Sequence, residues 1–145
     1  MDILPCPACG FLTVEECYGS YNICPVCGWE DDGVQLANPT SGGGANGVSL
    51  AEAQQAALAK YPLNVGDTHG YRRGSKWRPL NEAEIEESKR TSIMKHWHAS
   101  AVLSESESYW QTSGFPRESA VAIETARYCL KWRSVFHAVP SGQVR

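Results

Sequence analysis

No lysine or arginine occurs in the first 59 residues of this 145-residue chain, and the first basic side chain is Lys60. The same stretch holds Asp2, Glu15, Glu16, Glu30, Asp31, Asp32 and Glu52. From Lys60 onward thirteen basic residues outnumber nine acidic ones, so a net charge of −3 divides into −7 and +4. A nucleic-acid-binding N-terminal half needs cations, because phosphate contacts supply most of the affinity of such proteins. The pattern here is the reverse. The chain also lacks any run near the ~20 apolar residues of a membrane span, and MDILPCPACG has no basic region leading into an apolar one. The expected location is therefore the cytoplasm, where thiols stay reduced. No histidine, serine or cysteine has a visible triad partner, so a hydrolytic enzyme is not expected.

What the chain does have is six cysteines, four of them in two near-identical pentapeptides, Cys6-Pro-Ala-Cys9-Gly10 and Cys24-Pro-Val-Cys27-Gly28. In a reduced compartment such pairs indicate a metal before a disulfide. Two intervening residues let a tight turn aim both sulfurs at one ion, and the following glycine lets the backbone curl beneath them. Cys6, Cys9, Cys24 and Cys27 are thus expected to bind one structural Zn2+ ion, with all four positions filled by protein. The alternative occupant is iron, as in a rubredoxin-like electron carrier. Cys17 reads as a free thiol in the hairpin and Cys129 as a core residue.

The expected fold class is α+β: a zinc-ribbon or knuckle β-hairpin module over residues 1–48, with about three helices in residues 49–145 packed on it as one unit. Strands are expected at Phe11–Val14 and Tyr21–Ile23. Residues 37–48 (ANPTSGGGANGV) read as loop. The GxGxxG string at Gly42–Gly47 lacks a preceding strand and a later acidic residue, so it is not read as a nucleotide site. Ser49 and Glu52 form a capping box for a helix to about Tyr61, with Pro62 as its stop. Asn81 and Glu84 start a second helix expected to reach the vicinity of Leu103. Residues 104–114 read as loop. A third helix is expected from about Pro116 to Ala138, with Val121, Thr125, Tyr128, Trp132, Val135 and Phe136 on one face. His96 and His98 stand at i, i+2 and do not share a helix face, so they are not read as a metal pair.

The segments CPACGFLTVEE, YNICPVCGWEDDGVQ and GGANGVSLAEAQ resemble the bacterial cysteine-rich CPCC family over residues from about Cys6 to Glu52. Arg78-Pro79-Leu80 with Glu82 and Glu84 extends the similarity to about residue 84. Ala8 departs from the family's name-giving motif, which has Cys there, and leaves the two-knuckle site intact. The resemblance implies small bacterial proteins, some associated with toxin–immunity loci. It implies no particular chemistry, and residues 91–145 fall outside it.

Trp29-Glu30-Asp31-Asp32 directly follows the second knuckle. One reading is a partner-binding surface, an aromatic anchor with an acidic rim facing a basic protein. The other has Trp29 packing over the metal site while the carboxylates turn the chain into the next element. Arg72, Arg73, Lys76 and Arg78, with Tyr71 and Trp77, are expected to face the acidic ribbon or solvent; a nucleic-acid-binding regulator is the alternative. The resulting functional expectation is a non-enzymatic, zinc-stabilised inhibitory protein, an immunity protein whose partner is a basic toxin domain.

Overall fold

The computed structural model describes residues 2–94 and 100–112. The first strand, β1 (Ile3–Pro5), pairs antiparallel with β2 (Leu12–Glu15). Ile3 lies opposite Glu15 and Leu4 opposite Val14, and the register shifts between Leu4 and Pro5. The first Cys-x-x-Cys unit is the turn of this hairpin. The expected strand at 11–14 is thus present as β2, with Phe11 making an isolated bridge to Arg73. The one expected at Tyr21–Ile23 shrinks to a single bridge between Ile23 and Glu30. Tyr21 sits at φ 62, in the left-handed region, which breaks an extended run at its first residue.

A five-residue helix, α1 (Gly33–Ala37), follows and was not expected from the sequence. Asp32 is its N-cap: Oδ1 accepts from the amides of Val34 at 2.8 Å and Gln35 at 3.1 Å. The glycine-rich loop runs from Asn38 to Val48 and delivers the chain to α2 (Leu50–Lys60). The capping box at the start of α2 forms as expected. The Glu52 amide donates to Ser49 Oγ and the Ser49 amide to Glu52 Oε2, each at 3.2 Å. A two-residue hairpin of β3 (Asp67–Thr68) and β4 (Tyr71–Arg72) interrupts the irregular stretch. The last helix, α3 (Glu82–Met94), opens with a second reciprocal cap between Asn81 and Glu84.

Described helix ends at Met94, and Ala101–Leu103, expected in the same helix, is not helical. Its backbone is held instead by two long-range bonds: the Val102 amide donates to Gly33 O at 2.8 Å, and the Tyr18 amide to Leu103 O at 2.9 Å. Pairing with distant backbone and burial of Val102 override local helix propensity here. Residues 104–112, expected as loop, form a single 3-10 turn at Glu105–Glu107 and then supply Tyr109 and Trp110 to the core. The helix expected at 116–138, together with His96, Trp97, His98, Cys129 and His137, lies outside the described residues. Among the described residues the α-helices are α1, α2 and α3.

The core gathers around the first knuckle. Phe11, Tyr18, Leu36, Leu50 and Tyr109 are all at most 1% exposed. Burying such side chains contributes roughly 1.5–3 kcal/mol each relative to leaving them in water. Polar groups join the pieces. Gln54 of α2, 3% exposed, donates to Pro7 O at 2.9 Å and Tyr109 Oη at 2.8 Å, and accepts from the Leu80 amide at 2.9 Å. One buried amide thus ties the first knuckle, α2, the approach to α3 and the aromatic segment together. Leaving any of these groups unpaired would cost about 1–3 kcal/mol.

Candidate metal centre

Both knuckles fold by the same local rule. In the first, the Gly10 amide donates to Cys6 O and the Cys6 amide to Phe11 O, each at 2.8 Å. In the second, the Gly28 amide donates to Cys24 O at 2.9 Å and the Cys24 amide to Trp29 O at 2.8 Å. Gly10 and Gly28 have φ of 83° and 82°, the left-handed conformation that side chains resist and that closes each turn. The repeated pentapeptides therefore build two turns with the same backbone bonds, and the fold brings their sulfurs together.

The four sulfurs lie within 4.8 Å of one another. Cys6 Sγ is 3.7 Å from Cys27 Sγ, and Cys9 Sγ is 3.8 Å from Cys24 Sγ. A zinc ion with four Zn–S bonds of about 2.3 Å has sulfur–sulfur edges of about 3.8 Å, so the donor set fits a tetrahedral thiolate site. All four are free thiols. Thr13 Oγ1 donates to Cys24 Sγ at 3.3 Å, and Arg73 Nε donates to Cys9 O at 3.0 Å, which brings a cation beside a cluster that becomes anionic on metal binding.

Proton sharing among the sulfurs is uneven. Burial, followed by hydrogen bonding to the other three, pushes the Cys6 thiol up. Contact with Cys24 does most to raise Cys9. Cys24 is held down chiefly by its contact with Cys27, with the Thr13 hydroxyl adding to the effect. At Cys27 the contact with Cys24 pushes up, but those with Cys6 and Cys9 outweigh it. A divalent cation bound by all four sulfurs would displace the thiol protons. With four protein ligands the site has no open coordination position, the arrangement of structural rather than catalytic zinc.

The acidic run beyond the second knuckle is mostly interior. Trp29 is 4% exposed, Asp31 1% and Asp32 4%, while Glu30 is half-buried. Asp31 Oδ2 accepts from the amide and hydroxyl of Ser20 at 2.9 and 2.7 Å. Burial nonetheless raises its carboxyl above the usual range against those bonds. Asp32 caps α1 with one oxygen and accepts from the Ala45 amide at 2.9 Å with the other. The expected docking rim of Trp29, Glu30, Asp31 and Asp32 is corrected accordingly. Only Glu30 offers partial solvent-facing surface, because the loop amides draw the two aspartates inward. Trp29 lines a groove together with Cys27 and Gly28.

Residues that sequence reasoning missed hold the surroundings in place. Gln35, 0% exposed, donates to the carbonyls of Ser41 and Val48 at 3.0 Å and accepts from the Asn46 amide at 3.0 Å, so the glycine-rich loop wraps one side chain. Asn46 in turn bonds both backbone groups of Glu30. Arg73 spends its guanidinium on Cys9 O, Tyr61 O, Pro62 O and Val65 O, at 2.7 to 3.0 Å, while stacking 4.3 Å from the Phe11 ring. Arg78 forms a two-pronged pair with Glu84 at 2.7 and 2.9 Å. Of the basic cluster, Arg72 and Lys76 are left exposed. Cys17 is corrected as well: it is disulfide-bonded rather than free.

Among the described residues, two small antiparallel hairpins, three α-helices and a closed four-sulfur cluster define an α+β fold built around a candidate metal knuckle. Residues 4–61, from β1 through α2, match the model of the Cysteine-rich CPCC family. The matched segment contains all four cysteines and the glycine-rich loop. No curated protein matches the chain. No helix among the described residues is long and apolar enough to cross a membrane.

Proposed function

We propose that the chain is a zinc-stabilised, non-enzymatic protein-binding protein, and that its particular form is an immunity protein neutralising a basic toxin domain. The carrying observation is the closed four-sulfur cluster: every ligand comes from the chain, so the ion serves the fold and leaves no position for substrate. The immunity role follows from the family association and from the charge asymmetry of the chain.

With Asp31 and Asp32 engaged internally, the acidic contact is assigned to the open end of the first hairpin. Asp2, Glu15 and Glu16 are exposed there, and Ile3 beside them is 43% exposed. An apolar side chain ringed by carboxylates suits a basic partner, since complementary charge speeds encounter and an apolar contact holds it. The same four-sulfur cluster accommodates iron, and the colour of the purified protein separates the two readings, ferric thiolate being red.

The test is affinity capture with the tagged, metal-loaded chain from source lysate cleared of nucleic acid. The expected result is one stoichiometric basic protein, lost when Asp2, Glu15 and Glu16 are reversed to lysine in a variant that keeps its metal. Equal capture by the parent and the reversed chain contradicts the assigned surface, and capture of nothing contradicts the inhibitor reading.

A further inference from the structure

The two knuckles share a backbone fold but not an environment. Cys6 and Cys9 are 0% exposed and Cys24 is 5% exposed, whereas Cys27 is partly open. A Cβ on Gly10 would run into the Trp77 ring; one on Gly28 would meet nothing within 4 Å. The open side of Cys27 borders a groove of about 310 Å³ between the second knuckle and α2. Ala53, Ala56 and Ala57 of α2, with Val26 and Val48, make its walls apolar. Cys27 is therefore the one of the four ligand residues that lines this groove and is partly exposed, while the other three are buried.

We infer that Cys27 is a modification site at which a small organic hydroperoxide, entering along this groove, releases the metal. The inference rests on the metal reading given above. Thiolate is both the metal ligand and the nucleophile, so reactivity among four ligating sulfurs is decided by access. The groove's small apolar residues admit an alkyl hydroperoxide.

The chemistry balances within the site. Cys27 thiolate attacks the terminal oxygen of the hydroperoxide; the O–O bond breaks, an S–O bond forms, and an alkoxide leaves and takes a proton from water to give the alcohol. Cys6, whose sulfur is 3.7 Å away, then attacks the Cys27 sulfur. The S–O bond breaks, hydroxide leaves, and a Cys6–Cys27 disulfide forms. Two thiolates have supplied the two electrons that reduced the peroxide. Closing that separation to about 2.05 Å requires only a small movement of the knuckle tips, whereas the pair so formed no longer ligates. The site falls from four thiolates to two and loses its ion.

The experiment treats the metal-loaded full chain with tert-butyl hydroperoxide at a limiting ratio, follows metal release with a chromogenic chelator, and maps oxidised cysteines by peptide mass spectrometry with a sulfenic-acid trap. Trapped adduct on Cys27 and a Cys6–Cys27 disulfide are expected first, appearing together with metal release. Ala56→Trp, placed on the exposed face of α2 at the groove, keeps the same metal content and slows release about ten-fold by blocking access to the thiolate. First oxidation at Cys9 or Cys24, or an unchanged rate in Ala56→Trp, overturns the inference while leaving the metal reading intact. A purified chain holding no metal overturns both.

Discussion

At the scale of single residues, Gly10 and Gly28 occupy equivalent places in the two knuckles and share the same left-handed backbone, yet their neighbours differ. A methyl group on Gly10 would enter the Trp77 ring, whereas one on Gly28 would meet open space. Gly28→Ala should cost only the conformational strain, about 1–2 kcal/mol. Gly10→Ala adds overpacking against a buried indole and should cost about 3 kcal/mol or more. Denaturant unfolding of the two metal-loaded variants checks the order, and equal costs would mean that Trp77 does not seal the first knuckle. Asp32 illustrates the same local economy: one carboxylate caps α1 and fixes the glycine-rich loop, and Gly44 lies so close that a Cβ there would be 2.6 Å from Asp32 Oδ2.

At the scale of elements, the packing of α2 and the β3–β4 hairpin onto the cysteine module depends on two long-range polar side chains, Gln54 and Arg73. Arg73→Met keeps the stacking volume over Phe11 but removes one donor from each of four carbonyls, of which Pro62 O keeps the Val65 amide. A loss of about 2–4 kcal/mol is expected, allowing for the partly exposed setting in which water replaces some of these bonds. Arg73→Lys should recover little of it, because one ammonium does not span the same fork of carbonyls. Urea unfolding of both variants tests this, and parent-like stability in Arg73→Met would refute the role. These residues mark the limit of what the sequence made legible. The knuckles and the Ser49–Glu52 and Asn81–Glu84 caps were readable because their partners stand three or four positions away. The α1 helix was not, since its cap was hidden in a run of acids that read equally well as surface. Gln35, Gln54 and Arg73 look like solvated side chains until the fold supplies their carbonyls. The non-helical course of Ala101–Leu103 was set by backbone partners at Gly33 and Tyr18, far away in sequence.

At the scale of the whole molecule, the four cysteines join the β1–β2 hairpin to the segment that leads into α1, and most of the described core lies against them. Structural zinc in such sites binds with about 10–16 kcal/mol. Domain stabilities are only about 5–15 kcal/mol, so an ion bound at this strength would decide whether the module folds. Four thiolates on a divalent cation would add negative charge to the acidic first half, beside the Arg73 cation bonded to the Cys9 carbonyl. The most direct measurement is elemental analysis of the purified chain, paired with near-ultraviolet circular dichroism before and after a strong chelator. One zinc per chain is predicted, absent from a Cys24→Ser variant, with the aromatic signal collapsing on chelation and returning when zinc is restored. A metal-free chain whose aromatic signal is unchanged by chelator would contradict the account.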